Sequence, residues 1–115
     1  MKKIKTFEDA CAALGINPTD AGFTTGKPHI IAHNKLEVVV QALNEGWQPD
    51  WNNTRERKWQ PWFYMGSAGA GFRLDVCGCD YDGSGVGSRL CLKSEEVAEY
   101  AATQFADLYK AYMTL

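Results

Sequence analysis

The chain has no apolar run of membrane-spanning length, because charges interrupt its longest candidate segments first. It also lacks the apolar core of an export signal: Met1-Lys2-Lys3-Ile4-Lys5 leads directly to Glu8 and Asp9. The expectation is a cytoplasmic protein with no membrane partner. There is no charge excess either. A net charge of −2 provides no global field to gather nucleic acid or an anionic surface, so any such binding must be local. No lysine followed by Ser or Thr completes the glycine-rich stretch Gly66-Ser67-Ala68-Gly69-Ala70-Gly71, which disfavours nucleotide hydrolysis. Without an export signal, the four cysteines are read as free thiols or, as a second option, metal ligands, rather than as two disulfides.

What is present is ordinary for a folded domain: 45% apolar and 12% aromatic residues in 115, enough for one modest core and one domain over 1–115. Thr6 followed by Asp9, an apolar spacing of Phe7, Ala10, Cys11 and Leu14, and then Gly15 predict a short first helix. From Ile16 to Pro28 no period persists, and the stretch reads as a loop or mobile arm. A longer helix is predicted from about His29 to Asn44, buried along Ala32, Leu36, Val39, Val40 and Leu43 and ended by Gly46. Gly46 to Asn53 is a loop pinned by Trp47 and Trp51.

Lys58 to Leu92 alternates in three segments, Lys58–Met65, one around Phe72–Cys79 and one around Arg89–Lys93, whose connections are too short for a helical crossover. Pro61 cannot donate to a central ladder and places the first segment at an edge. In the second, Phe72, Leu74 and Val76 point inward and Arg73, Asp75, Cys77 and Cys79 outward. In the third, Leu90 and Leu92 point inward and Arg89, Cys91 and Lys93 outward. Ser94, with Glu95 and Glu96 in the first turn, opens a last helix buried along Val97, Ala101, Phe105, Leu108 and Tyr112. The expected fold is α+β: a three-stranded antiparallel meander with two N-terminal helices and one C-terminal helix packed on one face.

Several residue groups are candidates for chemistry. Cys77, Cys79 and Cys91 share a predicted face and make a partial zinc set lacking a fourth ligand, against thiols that merely pack under a loop. His29, His33 and Glu37 recur every four residues, a chelating spacing that half-buried histidines bonded to backbone explain better. Asp80 to Ser88 resembles the start of a calcium loop, but its twelfth position is Cys91, where a bidentate glutamate belongs. The strongest binding signal is a run of aromatics interleaved with cations: Trp51, Arg55, Arg57, Lys58, Trp59, Trp62, Phe63 and Tyr64. Nothing marks an activated nucleophile, so no enzyme activity and no cofactor are expected.

Three blocks carry a family resemblance: Lys35-Leu36-Glu37 through Ala42-Leu43-Asn44-Glu45-Gly46-Trp47-Gln48-Pro49-Asp50-Trp51; Lys58-Trp59-Gln60-Pro61-Trp62-Phe63; and Val86 through Glu96 with Ala98-Glu99-Tyr100-Ala101 and Gln104-Phe105. Together they resemble a group of small uncharacterised phage and prophage proteins of Bacteroidetes-type bacteria. The resemblance implies a mobile-element origin inside a bacterial host cell and assigns no activity or site residue. The expected function is a non-enzymatic module that binds another protein, with Trp51, Arg55, Arg57, Trp62, Arg73 and Arg89 as its contacts. The alternatives are a nucleic-acid accessory protein using the Arg/Trp patch of residues 51–64, and a zinc-thiolate protein.

Overall fold

The computed structural model describes residues 3–66 and 71–115. Most of the Gly66-to-Gly71 connection therefore lies outside the described residues. Helix α1 (Phe7–Leu14) starts at Thr6, whose hydroxyl accepts from the Asp9 amide while the Asp9 carboxylate accepts from Thr6 N–H; it stops at Gly15, at φ 69°. That reciprocal cap and left-handed glycine are what the Thr6-to-Gly15 pattern anticipates.

The stretch after it is not the unstructured arm expected from its composition. A single turn, α2 (Ala21–Thr24), is capped by Asp20, the Phe23 ring packs edge-on against Phe7 at 4.9 Å, and Asn34 donates to the Gly22 carbonyl. One aromatic contact and one side-chain hydrogen bond hold a segment that lacks any period of its own.

Helix α3 (Pro28–Asn44) is the central element. Proline opens it and Glu45 closes it in the left-handed region at φ 49°, with Ala32, Leu36, Val39, Val40 and Leu43 all buried. Its last residue, Asn44, is itself buried: its amide donates to the Cys91 carbonyl and its oxygen accepts from Lys93 N–H. The 91–93 segment is thus fastened to the end of α3.

The meander is corrected in number and order. Among the described residues two strands form a sheet, β1 (Lys58–Tyr64) and β2 (Arg73–Asp80), paired antiparallel. The third segment meets the sheet only at Leu92, which exchanges both backbone hydrogen bonds with Trp59 on the side of β1 away from β2. Pro61 supplies the reason. Backbone groups along a strand alternate sides, so Pro61, two residues beyond Trp59, faces the same side and has no N–H to continue that pairing.

The inward and outward assignment of β2 is also corrected. Trp62 pairs with Val76 but Phe63 pairs with Leu74, leaving Asp75 as a bulge. The extra residue reverses the pleat, so Leu74 packs against the core, Val76 is 55% exposed and Cys77 is buried. In the third segment Leu90 and Leu92 enter the core as expected, whereas Cys91, on the opposite side, is buried by the 81–87 loop and lies 3.6 Å from the Ser84 hydroxyl.

The last helix is two. α4 (Glu95–Gln104) starts at Ser94, whose hydroxyl accepts from Val97 N–H, and packs on the inner face of the hairpin. A break at Phe105 leads into α5 (Ala106–Met113). Thr103 donates back to the carbonyls of Glu99 and Tyr100, a local bond that competes with helix continuation. The break turns Tyr109 into the core, where it packs against Phe63 at 5.0 Å, and leaves Leu108 and Tyr112 half-buried. The α+β class and the core stripes of α1, α3 and α4 agree with the sequence.

The Tyr109 hydroxyl is buried with no hydrogen-bond partner among the described residues. Removing an unpaired buried polar group recovers its desolvation cost. Tyr109→Phe is therefore expected to raise stability by about 1 kcal/mol, read as a higher urea midpoint at unchanged slope.

Candidate functional site

The six residues expected to form one contact patch fall in three places, separated by the path of the chain after β2. Lys58 explains the division. Its ammonium is wholly enclosed, donates to the carbonyls of Asn53, Glu56 and Tyr81, lies 3.5 Å from the Glu56 carboxylate and sits 5.2 Å above the Trp51 ring. All three of its protons are used. It holds the 51–57 loop and the start of the 81–87 loop over the first residues of β1. Gly85 N–H donates to the Gln60 side chain, and Trp51 Nε1 donates to Ser88 Oγ at 2.7 Å, so the loop is tied down along its length.

Trp51 is thus a structural pin. Arg89, beside Ser88, pairs through Nε with Glu37 of α3 at 3.4 Å, at one end of a cleft of about 820 Å³ lined by Phe23, Asn34, Gln41 and Trp47. Arg55 and Arg57 line a different cleft of about 830 Å³ with Trp47 and Trp59, whose lining also includes Glu95, Glu96 and Glu99; Arg57 donates to the Tyr81 hydroxyl at 3.3 Å. Of these arginines, Arg89 pairs with a carboxylate and Arg57 with a tyrosine hydroxyl.

Trp62 and Arg73 share a surface with exposed apolar side chains. The outer face of the hairpin carries Trp62, 57% exposed and laid against Gly78, where a Cβ would come within 3.3 Å of Nε1. Beside it are Val76 and Tyr64, both about half exposed, with the Arg73 guanidinium stacked on the Tyr64 ring at 4.2 Å. The loop roofs the Lys58–Gln60 end of this face and leaves the Trp62–Tyr64 end open. The signal for Val76 as a surface residue is the bulge at Asp75, which a sequence pattern does not announce.

The edge of β2 is open as well. Trp59 directs its backbone groups to Leu92, away from β2, so Cys79 opposite Trp59 and Cys77 opposite Pro61 direct theirs to the far edge, where no partner is found among the described residues. It lies beside an exposed apolar face, and an unpaired strand edge is the backbone feature that strand addition uses.

The thiols and histidines do not gather. No group of three or more His, Cys, Asp or Glu side chains comes together as a metal site among the described residues. Cys77 is in the core, Cys91 lies beneath the 81–87 loop, and Cys79 is exposed on the rim. His33 packs against Tyr112 at 5.1 Å, Glu37 is engaged by Arg89, and His29 is exposed, contrary to the half-buried position expected for it. In the loop that resembles a calcium site, Asp80 Oδ1 accepts from the amides of Tyr81 and Asp82, which hold its carboxyl below the usual range, and Ser84 Oγ accepts from Val86 and Gly87. Those oxygens close the turn itself.

No family model, curated protein or solved structure matches the chain. No described helix is long and apolar enough to cross a membrane.

Two outcomes follow from this geometry. Lys58→Met removes the cation from three carbonyls and a carboxylate, and is expected to cost about 3 kcal/mol in urea unfolding. Lys58→Arg should recover little of that, because a planar guanidinium cannot aim at the same three carbonyls. Burial, reinforced by Glu99 and Glu95, pushes the Cys77 thiol from 9.0 up to about 11. The native state therefore keeps a proton that the unfolded chain releases at lower pH. Its contribution is full below the unfolded value and fades as pH climbs through the folded one. Stability should fall over that interval, and fall less in Cys77→Ala; near neutral pH, alkylation should label Cys79 in the native protein and Cys11, Cys77 and Cys91 only after unfolding.

Proposed function

We propose that this is a non-enzymatic protein-binding module that takes an extended segment of a partner along the open edge of β2, with Trp62, Tyr64 and Val76 supplying the side-chain contacts. The observation that carries this reading is the coincidence of two unmet needs at one place: strand backbone groups without a partner among the described residues and a half-exposed apolar face next to them. Strand addition meets both at once. Main-chain hydrogen bonds give attachment, and alternate side chains of the added segment rest beside Trp62 and Val76. Arg73 at one end of β2 and Asp80 at the other give the edge a direction. The resemblance to phage and prophage proteins supplies the proposed biological setting.

Charge distribution favours a protein over a nucleic acid. A phosphate-binding surface needs cations free to track a backbone. Here Lys58 is enclosed, Arg89 is paired with Glu37, and Arg55 and Arg57 line a cleft with Glu95, Glu96 and Glu99, while the open aromatic face carries Arg73 alone and has Asp75 and Asp80 nearby.

The test is capture from bacterial lysate with wild type and Trp62→Ala side by side, with nuclease and across a salt series. The expected result is a protein retained after nuclease treatment, insensitive to moderate salt and lost with Trp62→Ala by tenfold or more. Retention that disappears with nuclease, or falls steeply with salt, would overturn the reading in favour of nucleic acid.

A further inference from the structure

The β2 edge is complementary to itself, and we propose that the segment it takes is β2 of a second copy of this chain, making a two-fold dimer with a continuous four-stranded sheet. This rests on the strand-addition reading above and names its occupant.

The register follows from the backbone. Two identical antiparallel strands related by a two-fold axis must centre on a residue paired with itself, because neighbouring pairs alternate between hydrogen-bonded and non-bonded types. Cys77 directs its N–H and C=O to the open edge, so a hydrogen-bonded pair centred on Cys77 uses those groups in both copies. One step out, Val76 lies opposite Gly78 of the second copy. Gly78 is the residue against which Trp62 rests, so the exposed Val76 meets a position with no side chain of its own and an indole beside it. The bulge at Asp75 then advances the register by one. Leu74 comes opposite Cys79, both on the inner side of the sheet, and Arg73 comes opposite Asp80, both on the outer side.

The charge pattern decides between a second copy and an unrelated strand. Antiparallel self-pairing sets the cation that begins β2 against the carboxylate that ends it, at both ends of the interface, and places no like charges opposite one another. Asp75, which would otherwise face a partner side chain, is the bulge residue and has no cross-strand position to fill. The bulge that weakens the edge against arbitrary strands thereby brings Arg73 and Asp80 into line for this one. The result extends a two-stranded ribbon, marginal by itself, to four strands and brings two copies of Trp62 onto one face.

The experiment is sedimentation equilibrium on the purified full chain over a wide concentration range, with amide exchange at Cys77 and Cys79 followed by NMR on the same samples. The expected result is a concentration-dependent dimer in which both amides become slower to exchange as dimer forms. Arg73→Glu, which sets two carboxylates against each other at each end, should weaken it about tenfold with the far-ultraviolet spectrum unchanged; Val76→Lys should weaken it as well. A monomer up to millimolar concentration, or a dimer in which Cys77 and Cys79 exchange no more slowly than in monomer, overturns the proposal. A monomer that still captures a partner through Trp62 would remove self-pairing and leave the binding reading intact. A dimer that captures no other protein would uphold self-pairing alone.

Discussion

The Lys58 ammonium is the constraint on which the arrangement of this small sheet depends. A cation enclosed in a protein is costly unless every proton finds an acceptor, and three loop carbonyls with one carboxylate supply them here. The converse matters as much. Carbonyls of Asn53, Glu56 and Tyr81 belong to two loops with no regular structure, and this common donor fixes those loops relative to each other and to β1. From there the chain crosses the outer face, is held at Gln60 and Trp51, and arrives on the far side of β1, where Leu92 pairs with Trp59 and Asn44 clamps both flanking residues.

That crossing divides the outer face. One half is roofed and holds Lys58, Gln60 and Cys91 in a minor core of polar and thiol groups; the other half presents Trp62, Tyr64 and Val76. The arginines are dispersed by the same path: Arg89 lies beside Glu37, Arg55 and Arg57 share one cleft, and Arg73 stacks on Tyr64. A surface of this kind carries little net field, and what it offers is apolar area and main-chain groups rather than ionic attraction. Two local breaks in regularity define its limits: Pro61 stops pairing on one side of β1, and Asp75 turns the pleat of β2.

Much of the helical structure was legible in the residues. The Thr6/Asp9 cap, the Pro28 start, Ser94 and the apolar stripes of α1, α3 and α4 are local signals whose hydrogen bonds and periods close within a turn or two of the chain. So was the hairpin of β1 and β2, and so was the role of Pro61 in blocking a ladder. The candidate site was legible only in part. Trp62 and Arg73 share a surface, whereas Trp51 is an internal pin and Arg55, Arg57 and Arg89 lie elsewhere, because adjacency in sequence says nothing of which face a loop later covers.

Sequence by itself determined the α+β class, the helix starts and the residues able to line a core, since each depends on spacing and on groups a few positions apart. Tertiary structure decided which β segments pair, which side of β2 faces inward, where the last helix breaks and which aromatic residues stay in water. Those outcomes depend on single residues acting at long range: a bulge that shifts a whole strand's pleat by one, a missing N–H on one side of a strand, and a lysine whose acceptors lie both before and after it in the chain. No local pattern encodes them, because the energy that settles each is gained only when the distant partner arrives.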